Sequence, residues 1–178
     1  MGDPKKPHKK YNTPKTAWST DQISRELWLV GKYGLRNKRE LWAAETELSR
    51  IRSQARKLLA ESIETRVENE QILLKSLNRK GIIGASPSLD DVLGLVVENL
   101  LERRLQTIVM SKGLLPSIQF ARQAITHGHV MVGDRRVTVP GFIVQLIMEP
   151  TVRLVEGSYL AKIIVETSSS PKPIMEEK

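Results

Sequence analysis

The stretch ARQAITHGHVMVGDRRV, residues 121–137, decides the fold because its hydrophobic period changes at Gly128. Before this glycine, apolar residues recur three and four apart, which predicts a short helix ending in a left-handed cap. After it, apolar and polar residues alternate, and Gly133-Asp134 suits a two-residue hairpin turn. The stretch therefore predicts a helix next to a small antiparallel sheet.

The flanking sequence predicts more helices upstream and more strands downstream. Pro116 opens the short helix, which we expect to end at His127. Helical periodicity predicts four earlier helices, at residues 19–34, 38–60, 62–78 and 88–113. Alternating patterns predict further strands at 142–147, 151–155 and 161–166. The expected class is α+β: a helical domain with a basic N-terminal arm, plus a small module of two helices packed on a short antiparallel sheet.

Apolar stripes predict the buried faces of these helices, and capping residues predict where the helices begin. The first helix should bury Ile23, Leu27 and Val30, and Ser88 with Asp91 should form a capping box. The three tryptophans are expected to pack in the interior rather than stack on bases. The clearest stripe, in the second helix, is Leu41, Ala44, Leu48, Ile51, Ala55 and Leu58.

Composition narrows the function classes. The 178 residues carry a net charge of +8, with a sequence pI near 9.8, which favours polyanionic partners, nucleic acid first. The absence of cysteine excludes disulfides and a thiol nucleophile, and three histidines make no convincing metal site, so no metal or cofactor is expected. No stretch is apolar enough to span a membrane, and we expect a soluble, intracellular protein.

Basic residues concentrate at two places. Residues 1–17 carry five lysines against one aspartate and are expected to be extended or disordered, either as a solvated tail or as an arm that orders on a charged partner. Between residues 102 and 140, six Lys or Arg face two acids. Arginine forks suit phosphate oxygens, so a phosphate-binding surface is predicted there. His127 could instead cap a helix end, and Ser117 could cap the short helix.

The segment RRLQTIVMSKGLLPSIQFARQAITHGHVMVGDRRVTVPGFIV, residues 103–144, strongly resembles the S-four RNA-binding domain. It has Arg-x-Leu, a glycine before the second helix, a serine in that helix's first turn, Ala-Arg-Gln, His-Gly-His and a hairpin, in the order of that family. YNTPKTAW and YGLRNKRELW, together with the helix after them, resemble the S-four family of small-subunit ribosomal proteins in its archaeal and eukaryotic form.

The resemblance implies a function and a set of contacts. It implies a non-catalytic, cytoplasmic constituent of the small ribosomal subunit that binds small-subunit ribosomal RNA, organises a multi-helix junction, nucleates assembly and contributes where messenger RNA enters. Neighbouring small-subunit proteins are the other expected partners. The predicted RNA-binding residues are Lys5, Lys6, Lys9, Lys10, Tyr11, Lys15, Arg36, Asn37, Lys38, Arg39, Arg104, Lys112, Ser117, Arg122, Gln123, His127, His129, Arg135 and Arg136.

The predicted organisation is an arm at 1–17, a helical domain at 18–101 and 140–167, the module at 102–139 and a loose tail at 168–178. Two other functions are compatible with parts of the sequence. An RNA-modifying or tRNA-charging enzyme could use the same module as an anchor, although few residues remain for a catalytic domain. A coiled-coil protein could be built on residues 38–60, although the stripe lasts only about three heptads.

Overall fold

The computed structural model describes residues 9–84, 87–155 and 158, and it confirms the α+β class. Helices come first and the sheet follows. The α-helices are α1 (Thr20–Lys32), α2 (Lys38–Leu59), α3 (Ile63–Arg79), α4 (Leu89–Gly94), α5 (Val97–Glu102), α6 (Leu105–Ser111) and α7 (Ile118–Thr126). The strands are β1 (Val130–Val132), β2 (Arg135–Arg136) and β3 (Val152–Leu154), and a 3-10 helix, Leu146–Thr151, precedes β3. The strand predicted at 161–166 and the tail lie outside the described residues.

The buried apolar side chains form two clusters, and the boundary between them in the sequence falls near residue 103. The first cluster runs from Leu29 to Leu101 and joins α1, α2, the end of α3, α4 and α5. The second runs from Leu105 to Val152 and joins α6, α7 and the sheet. The stretch that decides the fold therefore lies within the second cluster.

The long helix α2 is the centre of the first cluster, as its stripe predicts. Five of the six stripe residues are buried, and Ala44 is partly buried. This apolar face packs against α1, α3, α4 and α5 of the same chain. The stripe is thus used inside the molecule and is not available for the coiled coil considered above.

The predicted buried face of α1 is wrong at Leu27, whereas Val30 is partly buried against the first cluster. Leu27 is 57% exposed, whereas Glu26, Leu29 and Tyr33 are buried. The Glu26 carboxylate accepts a hydrogen bond from Trp42 Nε1 at 3.0 Å, and it lies 2.9 Å from Lys38 Nζ. A carboxylate with these partners can be buried at little cost, and the helix turns this face inward instead of Leu27.

The prediction that the tryptophans pack in the interior holds for one of the three. Trp42 is partly buried and contacts the ring of Tyr11 with centroids 6.0 Å apart. Trp18 and Trp28 are 91% and 56% exposed, so the prediction is wrong for them. Lys32 Nζ lies 4.6 Å from the centroid of the Trp28 ring.

The single helix predicted over residues 88–113 is also wrong, because the chain breaks twice. The Ser88–Asp91 capping box forms as expected, but Leu95 and Val96 are extended, and the Asn99 side chain accepts from the Val96 N–H to start α5. Arg104 is extended too, and it forms a bridge with Ile143. Tertiary hydrogen bonds replace helical ones at these breaks, which an apolar period cannot show.

The sheet has the order β2-β1-β3, and both strand pairs are antiparallel. Val132 pairs with Arg135 across the turn at Gly133-Asp134, where Gly133 has a φ of +61°, so the predicted hairpin is confirmed. β3 confirms the strand predicted at 151–155. The strand predicted at 142–147 is wrong, because residues from Leu146 onward form the 3-10 helix and only Ile143 makes a bridge.

In the described part of the chain, no helix is long and apolar enough to cross a membrane. Within the same residues, no group of three or more His, Cys, Asp or Glu side chains could hold a metal ion.

Candidate nucleic-acid interface

The second cluster presents polar side chains at the end of α7 and along β2. Gly128 has a φ of +76° and ends α7, and the exposed imidazole of His127 lies just before it, with its ring centroid 6.3 Å from that of His129. Arg135 and Arg136 are both exposed on β2. Gln123 is exposed on α7. These side chains have donors directed to solvent.

Two of the predicted arginines are not exposed in this way. Arg104 is only 6% exposed, and its Nη2 lies 2.8 Å from Glu40 Oε2. The Nη2 of Arg122 pairs with Glu40 Oε1, and its Nη1 donates to the carbonyl of Gly34 at 3.0 Å. These two guanidinium groups are therefore not free for the phosphate-binding surface predicted between residues 102 and 140, because one carboxylate from α2 engages both.

Glu40 is ionised in this environment. Burial alone would raise the pKa of its carboxyl group, but hydrogen bonds from Arg122 and Arg104 outweigh that effect and hold the pKa below its usual value. The three charged groups therefore form a fixed network between the start of α2 and the second cluster. We call Glu40, Arg104 and Arg122 the Glu40 network.

A buried amide continues this network. Gln106 is fully buried, and its Nε2 donates to the carbonyls of Gly34 at 3.0 Å and Ile118 at 2.9 Å. Its Oε1 accepts from Arg122 at 3.3 Å. Gly34 has a φ of +56°, and a Cβ there would lie 2.7 Å from Gln106 Nε2. The α1–α2 connection is thus held to α6 and α7 at both Gly34 and Glu40.

The basic residues around the start of α2 lie between these two anchor points. Arg36 and Arg39 are exposed, and no hydrogen bond or ion pair engages their side chains in the described part of the chain. The Asn37 side chain caps α2 by accepting a hydrogen bond from the Glu40 N–H at 3.2 Å. Lys38 forms an ion pair with Glu26. Arg36 and Arg39 are consequently presented beside α7 by a segment fixed at both ends.

Three other predicted residues have hydrogen-bonding partners within the protein. The Ser117 side chain accepts from the Phe120 N–H at 3.2 Å, so its capping role is confirmed. Lys112 Nζ donates to the backbone carbonyl of Glu149. His129 Nδ1 lies 2.9 Å from Ser158 Oγ. These contacts fix the side chains in place, and Ser117 and Lys112 remain exposed.

The six basic residues counted between 102 and 140 are therefore not one uniform patch. Arg103 is also engaged, because its Nη1 lies 2.8 Å from Glu149 Oε2 and its Nη2 donates to the carbonyl of Val144. Only Arg135 and Arg136 have side chains with no such partner among the residues that the structure describes. Four of the six basic side chains in this stretch are therefore engaged by other parts of the protein.

The N-terminal arm is anchored where it reaches α2. The Asn12 N–H donates to Thr46 Oγ1 at 2.9 Å, and Tyr11 is partly buried against Trp42. Lys10 and Lys15 are exposed, and the Nζ of Lys9 lies 5.7 Å from the centroid of the Tyr11 ring. Two predicted contacts, Lys5 and Lys6, lie outside the described residues.

Sequence reasoning missed Glu40 and Gln106. Glu40 is a single acidic residue within the basic run LRNKRE, and Gln106 is a polar residue in an apolar helix, so neither stands out in the sequence. A signal existed for Glu40, since it stands three residues after the capping Asn37. No comparable signal marks Gln106.

Comparisons with known proteins show which sequences this chain resembles. Residues 103–149 match the family model of the S4 domain. Proteins called small ribosomal subunit protein uS4 are similar over most of their length. The relative from Ignicoccus hospitalis is 52% identical over 82% of this chain and 87% of its own. The relative from Thermoplasma acidophilum is 50% identical over 90% of this chain and 82% of its own length. The relative from Nitrosopumilus maritimus is 45% identical over 95% of this chain and 84% of its own length.

Proposed function

The chain belongs to the uS4 family of small ribosomal subunit proteins, and we propose that it binds small-subunit ribosomal RNA through exposed basic residues on two connected surfaces. It is a structural component of the ribosome, in the cytoplasm, and not an enzyme, because its relatives over most of the chain are ribosomal proteins. The alternative of an RNA-modifying or tRNA-charging enzyme is therefore wrong.

The observation that carries the proposal is the division of the basic residues into engaged and free groups. Four arginines have guanidinium donors free for a ligand: Arg135 and Arg136 on β2, Arg36 before α2, and Arg39 in the first turn of α2. Arginine forks bind two phosphate oxygens at once, and duplex RNA offers phosphates and 2′-hydroxyls at regular spacing. Gln123, His127, Ser117 and Lys112 add exposed polar groups on the same module.

The Glu40 network supports a role in organising RNA. It holds the segment with Arg36 and Arg39 against α6 and α7 through contacts at Gly34 and Glu40. A rigid body with two basic surfaces neutralises phosphates of two RNA segments that would otherwise repel each other. On this basis we propose that the protein holds a multi-helix RNA junction and binds early in assembly.

Two finer assignments belong to the same proposal. The lysines of the arm, Lys5, Lys6, Lys9, Lys10 and Lys15, extend the RNA surface, and the protein contributes where messenger RNA enters. Neighbouring small-subunit proteins complete the set of partners. What supports these assignments is the density of positive charge near the N-terminus and the family membership.

Charge reversal at β2 tests the proposal. Arg135→Glu with Arg136→Glu should weaken binding to a transcribed archaeal small-subunit ribosomal RNA by at least about tenfold, because two phosphate contacts are lost. The slope of log K against log salt should fall by about two. The measurement is filter binding over a salt series, with circular dichroism to check folding.

A matched control comes from α2, where Arg50 and Lys57 are exposed. Arg50→Glu with Lys57→Glu makes the same change of charge away from β2. If both pairs weakened RNA binding equally, the effect would be one of net charge, and the assignment of β2 to the interface would be wrong.

A further inference from the structure

The N-terminal half of α3 carries aliphatic side chains that the described part of the protein does not cover. Ile63 is 81% exposed, Val67 is 50% exposed and Ile72 is 66% exposed. The other end of the same helix is covered, because Leu77 is buried and Leu74 packs against the first cluster. Val67 lies seven residues before Leu74, which is about two helical turns. The apolar stripe of α3 therefore continues past the end of the core.

These side chains form a patch rather than isolated exposed positions. Single aliphatic side chains are common on protein surfaces, whereas a contiguous group marks an interaction site. The residues from Ile63 to Ile72 rise about 14 Å along the helix axis. A groove of about 370 Å³ between α2 and α3 adjoins the patch, and its lining includes Ile72, Leu58 and Leu73. The patch and the groove are long enough for a second helix to pack along α3.

The same surface is acidic, although the protein as a whole is basic. Residues 61–72 contain four glutamates and one arginine, a net charge of −3, whereas the whole chain has a net charge of +8. The arginine is already engaged, because Arg66 Nε lies 3.5 Å from Glu70 Oε2. Glu68 is exposed beside Val67, and it has no hydrogen bond or ion pair with any residue that the structure describes. The surface therefore repels a phosphate backbone and attracts a cationic partner.

We propose that the N-terminal half of α3 docks a basic amphipathic helix of a neighbouring small-subunit protein. The inference rests on the proposed function, because it gives a docking surface to one of the protein partners named there. Lysine and arginine side chains of the docked helix pair with the glutamates of residues 61–72, and its apolar face covers Ile63, Val67 and Ile72. The apolar contacts supply the buried area, and the complementary charges fix the orientation of the partner.

Four other occupants match this surface less well. RNA is negatively charged, and a second copy of this chain docked face to face presents the same charge of −3. The basic arm has no leucine, isoleucine or valine between residues 2 and 10, so it cannot cover the apolar patch. The C-terminal segment 159–178 has three lysines and three glutamates, so it has no complementary net charge. A basic amphipathic helix has both the charge and the apolar face.

Photocrosslinking in assembled subunits tests the proposal. Full-length protein with Val67→benzoylphenylalanine is assembled into small subunits with archaeal small-subunit ribosomal RNA and proteins, and mass spectrometry identifies the crosslinked segment. The expected product is a crosslink to a segment of another protein that has a net positive charge and an apolar stripe of helical period. Arg50→benzoylphenylalanine, at an exposed position on α2, is the matched control and should not crosslink to that segment.

Charge reversal distinguishes docking from simple proximity. Glu61→Lys with Glu68→Lys should lower the yield of the crosslink from position 67 at least about tenfold, because like charges then face each other across the contact. Asp21→Lys with Asp90→Lys makes the same change of net charge at exposed positions outside α3, and it should change the yield less than about twofold. Equal losses in the two pairs would show that net charge alone governs the crosslink, and the proposal would be overturned.

The outcomes also separate this inference from the proposed function. If the chain enters the subunits but position 67 crosslinks to RNA, to a second copy, to another part of this chain, to an acidic segment or to nothing, the inference is wrong and the proposed function stands. If the chain neither binds the RNA nor enters the subunits, the proposed function fails and the inference fails with it.

Discussion

Removal of the carboxylate of Glu40 should destabilise the protein far more than removal of any exposed acid. In Glu40→Gln, Arg104 keeps a guanidinium group that is 8% exposed, and Arg122 keeps one that is 22% exposed, and neither retains its charged partner. Breaking a buried ion pair on one side is costly because the other charge stays desolvated. We expect a loss of about 3 kcal/mol, at the low end for buried pairs, since the Glu40 side chain is itself 27% exposed.

Urea unfolding followed by circular dichroism measures this loss. For a chain of this size, about 3 kcal/mol corresponds to a decrease in Tm of roughly 10 °C. Glu47→Gln is the matched control, because Glu47 is on the same helix, is 41% exposed, and lies 3.8 Å or more from Lys80 and Arg50. It should change stability by less than about 0.5 kcal/mol. If Glu40→Gln lost no more stability than the control, the Glu40 network would not stabilise the fold.

Two further predictions concern the same region. The pKa of Glu40 is lowered in the folded state, so its contribution to the free energy of unfolding is complete above the unfolded-state pKa and is lost as the pH falls through the folded-state pKa. Below about pH 4.5, the wild-type protein should therefore lose more stability than Glu40→Gln, which urea titrations at pH 7 and pH 3.5 measure. Gly34→Ala should lower the free energy of unfolding by about 2 kcal/mol, since the φ of Gly34 is +56° and the new Cβ would contact Gln106. Gly31→Ala is the control, because nothing lies within 4 Å of its new Cβ, and it should raise the free energy of unfolding by about 0.5 kcal/mol. Thermal melts compare the two variants.

Periodicity predicted those elements whose apolar faces are also their buried faces. The α2 stripe, the short helix α7 and the hairpin at Gly133-Asp134 follow this pattern and were confirmed. In α1 the pattern failed, because a carboxylate with three hydrogen-bonding or charged partners took the interior position that Leu27 was expected to occupy. Burial of a satisfied polar group depends on residues distant in sequence, and hydrophobic spacing does not report it.

The same limit applies to the candidate interface. The motif residues of the module could be located, but their side-chain partners could not. Arg104 and Arg122 look like Arg135 and Arg136 in the sequence, and only the position of Glu40, 64 residues before Arg104, distinguishes structural arginines from free ones. Long-range ion pairs of this kind need the tertiary structure.

The placement of the tryptophans determines what fluorescence can observe in this protein. All three indoles lie within residues 18–42, so the second apolar cluster contains no tryptophan. Two of them are already in solvent in the folded chain, and Trp42 is the reporter whose environment changes most on unfolding. An emission melt thus follows the N-terminal helices, while far-ultraviolet dichroism follows both halves. Overlaying the two curves shows directly whether the halves unfold as one cooperative unit.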